Sequence, residues 1–162
     1  MVVLLLVVLF ALIGLLERIA SQEREPTEQP IAFSHKLHAG DKQIPCQYCH
    51  AYVRRGPVAG VPSVERCMGC HAYIAARRPE IKKLAAYWER KQPIPWIRIH
   101  NLPDFVYFSH KRHIRAGLEC QMCHGPIETM PVVYQYSSLE MGWCLSCHRQ
   151  RGASVDCATC HK

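Results

Sequence analysis

No charged or polar side chain occurs from Met1 to Leu16, and no Lys or Arg stands ahead of that run. The absence excludes the stretch from a solvated surface and marks it as a membrane or export segment. No small-x-small cleavage pattern lies at its boundary, where Glu17 and Arg18 follow directly. An uncleaved anchor over residues 1–20 is therefore expected, a single N-terminal transmembrane helix, rather than a removed peptide. Val2 to Leu16 would span only about 23 Å as a helix, so Ile19 and Ala20 are needed to extend it. Acidic residues are also scarce, 13 against 20 Lys and Arg for a net charge of +7. That surplus ordinarily raises nucleic acid or an anionic surface as a partner.

No cysteine is spare. The ten fall into Cys46-Gln47-Tyr48-Cys49-His50, Cys67-Met68-Gly69-Cys70-His71, Cys120-Gln121-Met122-Cys123-His124, Cys144-Leu145-Ser146-Cys147-His148 and Cys157-Ala158-Thr159-Cys160-His161. Zinc ribbons, redox dithiols and local disulfides also use CxxC pairs, but none of them requires a histidine after each pair. Histidine is 10 of 162 residues, so five such placements by chance are on the order of one in a million. Two thiols at this spacing reach both vinyl groups of one haem, and the next residue lies under the iron as proximal ligand. Five covalently bound haems c are thus expected, with His50, His71, His124, His148 and His161 as proximal ligands. Their propionates would bring the net charge to about −3 and take up the basic residues, which excludes nucleic acid as the reason for them.

Five histidines remain, His35, His38, His100, His110 and His113, one for the far side of each iron. Phe33-Ser34-His35-Lys36-Leu37-His38 ahead of the first motif returns as Phe108-Ser109-His110-Lys111-Arg112-His113 ahead of the third, an internal repeat offset by 75 residues. The first histidine of each copy is expected to serve the motif that follows it, and the second to reach another haem. His100, in Ile99-His100-Asn101, completes the distal set by count. Met130 and Met141 are the competing distal ligands, and a His/Met iron would have a higher potential.

The chain divides into an anchor, residues 1–20, and a haem domain, residues 21–162, made of a two-haem lobe (31–75), a linker (76–103) and a three-haem lobe (104–162). About 28 residues per haem cannot build a conventional core, so the porphyrins must form it and lie close together. The expected fold is mainly irregular with short α-helices. The best helix starts at Pro79-Glu80 and stops before Pro93, with Ile81, Leu84, Ala85 and Trp88 on its apolar face. Arg77, Arg78, Lys82 and Lys83 form a solvated or propionate-facing cluster.

The run from Trp96 through His100 to His110, followed by Cys120–His124 and by Met141-Gly142-Trp143-Cys144-Leu145-Ser146-Cys147-His148-Arg149, resembles the pentahaem cytochrome subunit of bacterial alternative complex III. The FxHxxH plus CxxCH unit is also similar to small class III and c7-type cytochromes. The resemblance implies a menaquinol-oxidising membrane complex with an iron-sulfur subunit, polytopic quinol-binding subunits and a monohaem cytochrome. A soluble cytochrome, a copper protein or an oxidase would accept the electrons, with the haem domain on the periplasmic or extracytoplasmic side. On this reading the chain has no catalytic residue of its own and works as a wire. Two alternatives stand beside it: a multihaem reductase with one open iron, and a small membrane-anchored quinol dehydrogenase.

Overall fold

A computed structural model of the chain describes residues 8–14 and 28–161. The expected anchor over residues 1–20 lies mostly outside the described residues; its residues 8–14 are helical. Among the described residues no helix is long and apolar enough to cross a membrane.

Helices are short, and among the described residues no strand forms; one antiparallel bridge joins Val106 to His161. The helices are α1 (Cys46–Cys49), α2 (Val64–His71), α3 (Pro79–Glu89), α4 (His110–Arg115), α5 (Gln121–His124), α6 (Met141–Gln150) and α7 (Cys157–Cys160). Each CxxCH motif sits on one of them, α1, α2, α5, α6 or α7, because a single helical turn places residues i and i+3 on one side and so aims both thiols the same way. Local signals set the starts. Ser63 accepts from the Arg66 amide at 3.4 Å to cap α2, with Glu65 in its first turn. Pro79 opens α3, where its missing N–H costs nothing.

The small apolar core gathers around α3. Leu84, Ile31 and Ile94 are buried together, and Val64, Cys67, Met68, Ile81, Tyr87 and Trp96 pack against them. The buried row of α3 is Ile81, Leu84 and Tyr87, not the row through Trp88, which is 46% exposed. The chain leaving α3 explains this: it turns at Lys91 (φ 53°), the Gln92 amide donates to the Tyr87 carbonyl at 3.0 Å, and Ile94 arrives on the Tyr87 side. Polar clasps close the same unit. Gln29 exchanges two hydrogen bonds with the backbone of Ile97, at 3.0 and 2.9 Å, and Glu80 accepts from the Ala32 amide at 2.7 Å while pairing with Lys83 at 2.8 Å. The segment 76–103 thus packs on residues 29–32 and on α2.

The two repeat copies take different backbones. His35 leads into a π-type turn over Lys36–Asp41, whereas His110 starts the regular α4. The π-type turn lies against the 3-10 turn Ile127–Thr129: the Lys36 amide donates to the Met130 carbonyl at 2.9 Å, and a Cβ on Gly40 would collide with the Glu128 carbonyl. The first copy is thereby held against the segment that follows the third motif. Little of the apolar surface is covered by the polypeptide itself. Tyr52, Val58, Tyr73, Ile74 and Phe105 are each at least 60% exposed.

Candidate functional site

None of the ten cysteines is paired in a disulfide. Burial pushes several of them up, and their neighbours trace a path from motif to motif. Cys67 is raised by burial with Cys49 beside it, and Cys49 by burial with Cys70 close by, while the Arg66 guanidinium pulls Cys49 back. Cys120 is raised by burial, with Cys46 beside it. Cys123 lies near Cys147 and Cys144, and Cys144 near Cys160. The motifs therefore adjoin in the spatial order second, first, third, fourth, fifth, which is not their order along the chain. Backbone bonds fix the central junction: the His110 and Lys111 amides donate to the Pro57 and Gly56 carbonyls at 3.0 and 3.2 Å.

Four motif histidines face a histidine from one of the repeats. The pairs are His35 with His50 at 6.5 Å between ring centroids, His38 with His71 at 6.0 Å, His110 with His124 at 6.4 Å and His113 with His148 at 6.1 Å. These separations exceed ring stacking contact. Two imidazoles bound through Nε2 to one metal, at about 2 Å each, have centroids roughly 6.3 Å apart. Each pair thus has the spacing of two axial ligands on one iron. The first pair of each repeat is nearly parallel, at 2° and 5°, and the second is turned, to 68° and 46°.

The other ring nitrogen is engaged in a consistent way. Nδ1 meets a backbone carbonyl in His38 (Ser34, 2.9 Å), His50 (Gly60, 2.6 Å), His71 (Ile74, 3.1 Å), His110 (Pro57, 2.9 Å), His113 (Ser109, 2.8 Å) and His148 (Ser154, 2.6 Å). A carbonyl only accepts, so each Nδ1 carries a proton, and in the neutral ring the lone pair is then on Nε2. This is the tautomer an axial ligand needs, and the donated hydrogen bond makes the ring a more basic ligand. Burial, with His50 and His38 beside it, pulls His35 down to about 4. Burial, with His100 and His110 beside it, does the same to His124, also to about 4. Both rings are therefore neutral at physiological pH, as ligation requires. His35 Nδ1 is a buried nitrogen with no partner, a polar atom that a bound group or an ordered water has to satisfy.

In each repeat copy a phenylalanine orients both histidines. Phe33 meets His35 edge-on at 4.9 Å and stacks on His38 at 4.4 Å; Phe108 meets His110 edge-on at 4.8 Å and stacks on His113 at 4.4 Å. This role could have been found from the letters, since FSHxxH repeats as a unit. The carbonyls of Gly60, Ile74, Pro57 and Ser154 had no such signal, because a backbone acceptor belongs to any residue type.

His100 and His161 are placed differently from the four pairs. His100 Nε2 lies 3.2 Å from His124 Nδ1, with the rings crossed at 81° and centroids 4.5 Å apart. The ring that meets His161 is Phe105, at 5.6 Å and 36°. Met130 is buried, at 3% exposure, beneath the first repeat copy, while Met141 is 65% exposed at the start of α6.

The donor set fits haem c better than bare metal. Among the described residues no three His, Cys, Asp or Glu converge to hold a metal ion, whereas tetrahedral zinc needs four protein ligands in a structural site. Haem needs two thiols for attachment and two imidazoles for the iron, and the pairs supply that.

Two sequence families match the chain. The profile described as class III cytochrome c family covers residues 15–101, and that of cytochrome c7 and related cytochrome c covers residues 106–162. A curated relative, the multiheme cytochrome c subunit of a menaquinone reductase from Nitratidesulfovibrio vulgaris, strain Hildenborough, is 30% identical. That alignment covers 83% of this chain and 77% of the relative.

Proposed function

The chain belongs to the class III family of multihaem cytochromes c, and from that premise we propose that it carries five haems c and relays electrons between a membrane quinone complex and an extracytoplasmic acceptor. The observation that carries the reading is the set of four facing imidazole pairs, at 6.0–6.5 Å, in motifs whose thiols adjoin in one unbroken row. Bound haem supplies an iron that cycles between ferric and ferrous states. The chain's own residues do the rest. Cys46, Cys49, Cys67, Cys70, Cys120, Cys123, Cys144, Cys147, Cys157 and Cys160 tether the five groups. Paired histidines at the first four motifs would hold the iron, so substrates would be kept off it and only electrons would pass. Nδ1 hydrogen bonds hold seven of the eight paired rings, all but His35, so these side chains would have little to reorganise.

The row has two ends, the second motif beside α3 and the fifth motif at the C-terminus. Electrons would enter at one and leave at the other. The resemblance to the pentahaem subunit of alternative complex III supports outward flow from menaquinol, with residues 1–20 as membrane anchor and the iron-sulfur, polytopic and monohaem cytochrome subunits as partners. The relative's own name specifies a menaquinone reductase and favours the opposite direction. Haem quantification with a redox titration decides. Five haems per chain, with the upper potentials above that of menaquinone, support outward flow; five potentials all below it support quinone reduction. Fewer than five haems overturn the reading.

One observation favours a second reading, a reductase for a small molecule: the fifth motif's His161 meets Phe105, not an imidazole. Turnover of nitrite or a similar oxyanion by the reduced holoprotein would support it, and electron transfer without such turnover would sink it.

A further inference from the structure

Resting on the five-haem reading, we propose that His100 is a positioning residue for His124, accepting its Nδ1 proton and aiming its Nε2 at the iron of the third motif, and is not itself an iron ligand. The geometry fixes the roles. His124 faces His110 across 6.4 Å with ring planes 5° apart, so its Nε2 lone pair belongs to that gap and its proton sits on Nδ1. Nδ1 meets His100 Nε2 at 3.2 Å. His100 Nε2 must then be the acceptor, its own proton rests on Nδ1, and the lone pair it would offer an iron is already in use.

The rings cross at 81° with centroids 4.5 Å apart, so the two nitrogens meet at a bent angle within hydrogen-bond distance. The short loop carrying His100 is braced for the task. Arg98 Nε donates to the His100 carbonyl at 3.1 Å, and the Asn101 side-chain amide donates to the Arg98 carbonyl at 3.5 Å. Elsewhere a backbone carbonyl does this job, as Gly60 does for His50 and Ser154 for His148. The third motif is the one where a side chain replaces it. An imidazole nitrogen held at Nδ1–H draws the proton away, makes His124 a stronger donor to iron and stabilises the ferric state. The third motif adjoins the first and the fourth, so this setting acts on the middle of the row.

The test uses the full-length holoprotein with His100→Leu, which has no acceptor, and His100→Gln, whose amide oxygen restores one; His100→Phe stands in should the leucine variant fail to accumulate. Intact mass counts the haems, a spectroelectrochemical titration reads the five potentials, and a carbon monoxide difference spectrum of the reduced protein reports irons that have lost a ligand. The expected result is five haems, one midpoint potential raised in His100→Leu and restored towards the parent in His100→Gln, and no carbon monoxide binding beyond that of the parent. A new carbon-monoxide-binding haem in His100→Leu would make His100 a distal ligand and overturn the proposal. Five unchanged potentials would overturn it as well. Fewer than five haems in the parent protein would instead overturn the reading on which it rests.

Discussion

His35 and His50 face each other with ring planes 2° apart and centroids 6.5 Å apart, one from the first repeat and one from the first attachment motif. His110 and His124 reproduce the arrangement in the second repeat, at 5° and 6.4 Å. Since attachment depends on the thiols and spin state on the far imidazole, His110→Ala is expected to keep five haems and turn one high spin. Intact mass and the ferric absorption spectrum check both halves; an unchanged low-spin spectrum would remove His110 from the ligand set.

Ring orientation gives a second expectation. Parallel axial imidazoles separate the two iron d orbitals that interact with the ligand π systems, and crossed imidazoles leave them nearly degenerate. The first and third haems, with pairs at 2° and 5°, should give ordinary rhombic low-spin resonances, and the second, at 68°, a strongly anisotropic one. The fourth, at 46°, lies between. Electron paramagnetic resonance of the fully oxidised protein checks this, and a single signal type for all the low-spin irons would contradict the ring geometry.

The two phenylalanines are expected to act through the second histidine of each copy. Phe108 stacks on His113 at 4.4 Å, and an aromatic pair of this kind contributes about 0.5–1.5 kcal/mol beyond its burial. Phe108→Leu keeps an apolar side chain but loses the stacking, so the fourth haem should bind carbon monoxide partially while the second, steadied by Phe33 on His38, stays closed. Equal behaviour of both haems in the variant would rule out an orienting role.

Stability of the polypeptide should depend on one residue more than on any other in the linker. Leu84 is the most buried member of the cluster with Ile31 and Ile94, and Leu84→Ala is expected to cost about 2–4 kcal/mol from lost burial and the cavity left behind. Thermal unfolding of the holoprotein reads this as a lower Tm with haem content unchanged. Trp88→Ala, on the exposed side of α3, should shift Tm far less.

The letters showed the attachment chemistry and the candidate ligands because those are fixed by residue type and short spacing: CxxCH five times, FSHxxH twice. They also showed why the fold is poor in regular structure, since five short motif helices with prolines and glycines between them leave little room for more. What they could not show depends on the path of the chain. The order second, first, third, fourth, fifth arises from contacts such as His110 with Pro57 and Cys120 with Cys46, between residues far apart in sequence. The buried row of α3 through Tyr87 follows from where residues 91–94 turn back. Counting five loose histidines against five irons assigned His100 by arithmetic, whereas its placement on His124 Nδ1 is a matter of position that a count does not contain.

The C-terminal motif bears the last expectation. Its strand-like flank is tied to the approach to the second repeat, with the Tyr107 amide donating to the Cys160 carbonyl at 2.8 Å and Val106 bridged to His161. This places Phe105 5.6 Å from the His161 ring, close to the 6.0–6.5 Å at which the other four motif histidines meet an imidazole. A phenyl ring has no lone pair for iron. If His100 serves His124 as proposed, the fifth iron is expected to bind carbon monoxide when reduced, at about one per chain. Phe105→His should supply the missing nitrogen from nearly the right distance and abolish that binding, while Phe105→Leu should not. Parent protein that binds no carbon monoxide would mean that some other residue closes the fifth iron, with Met130 and Met141 the first to replace.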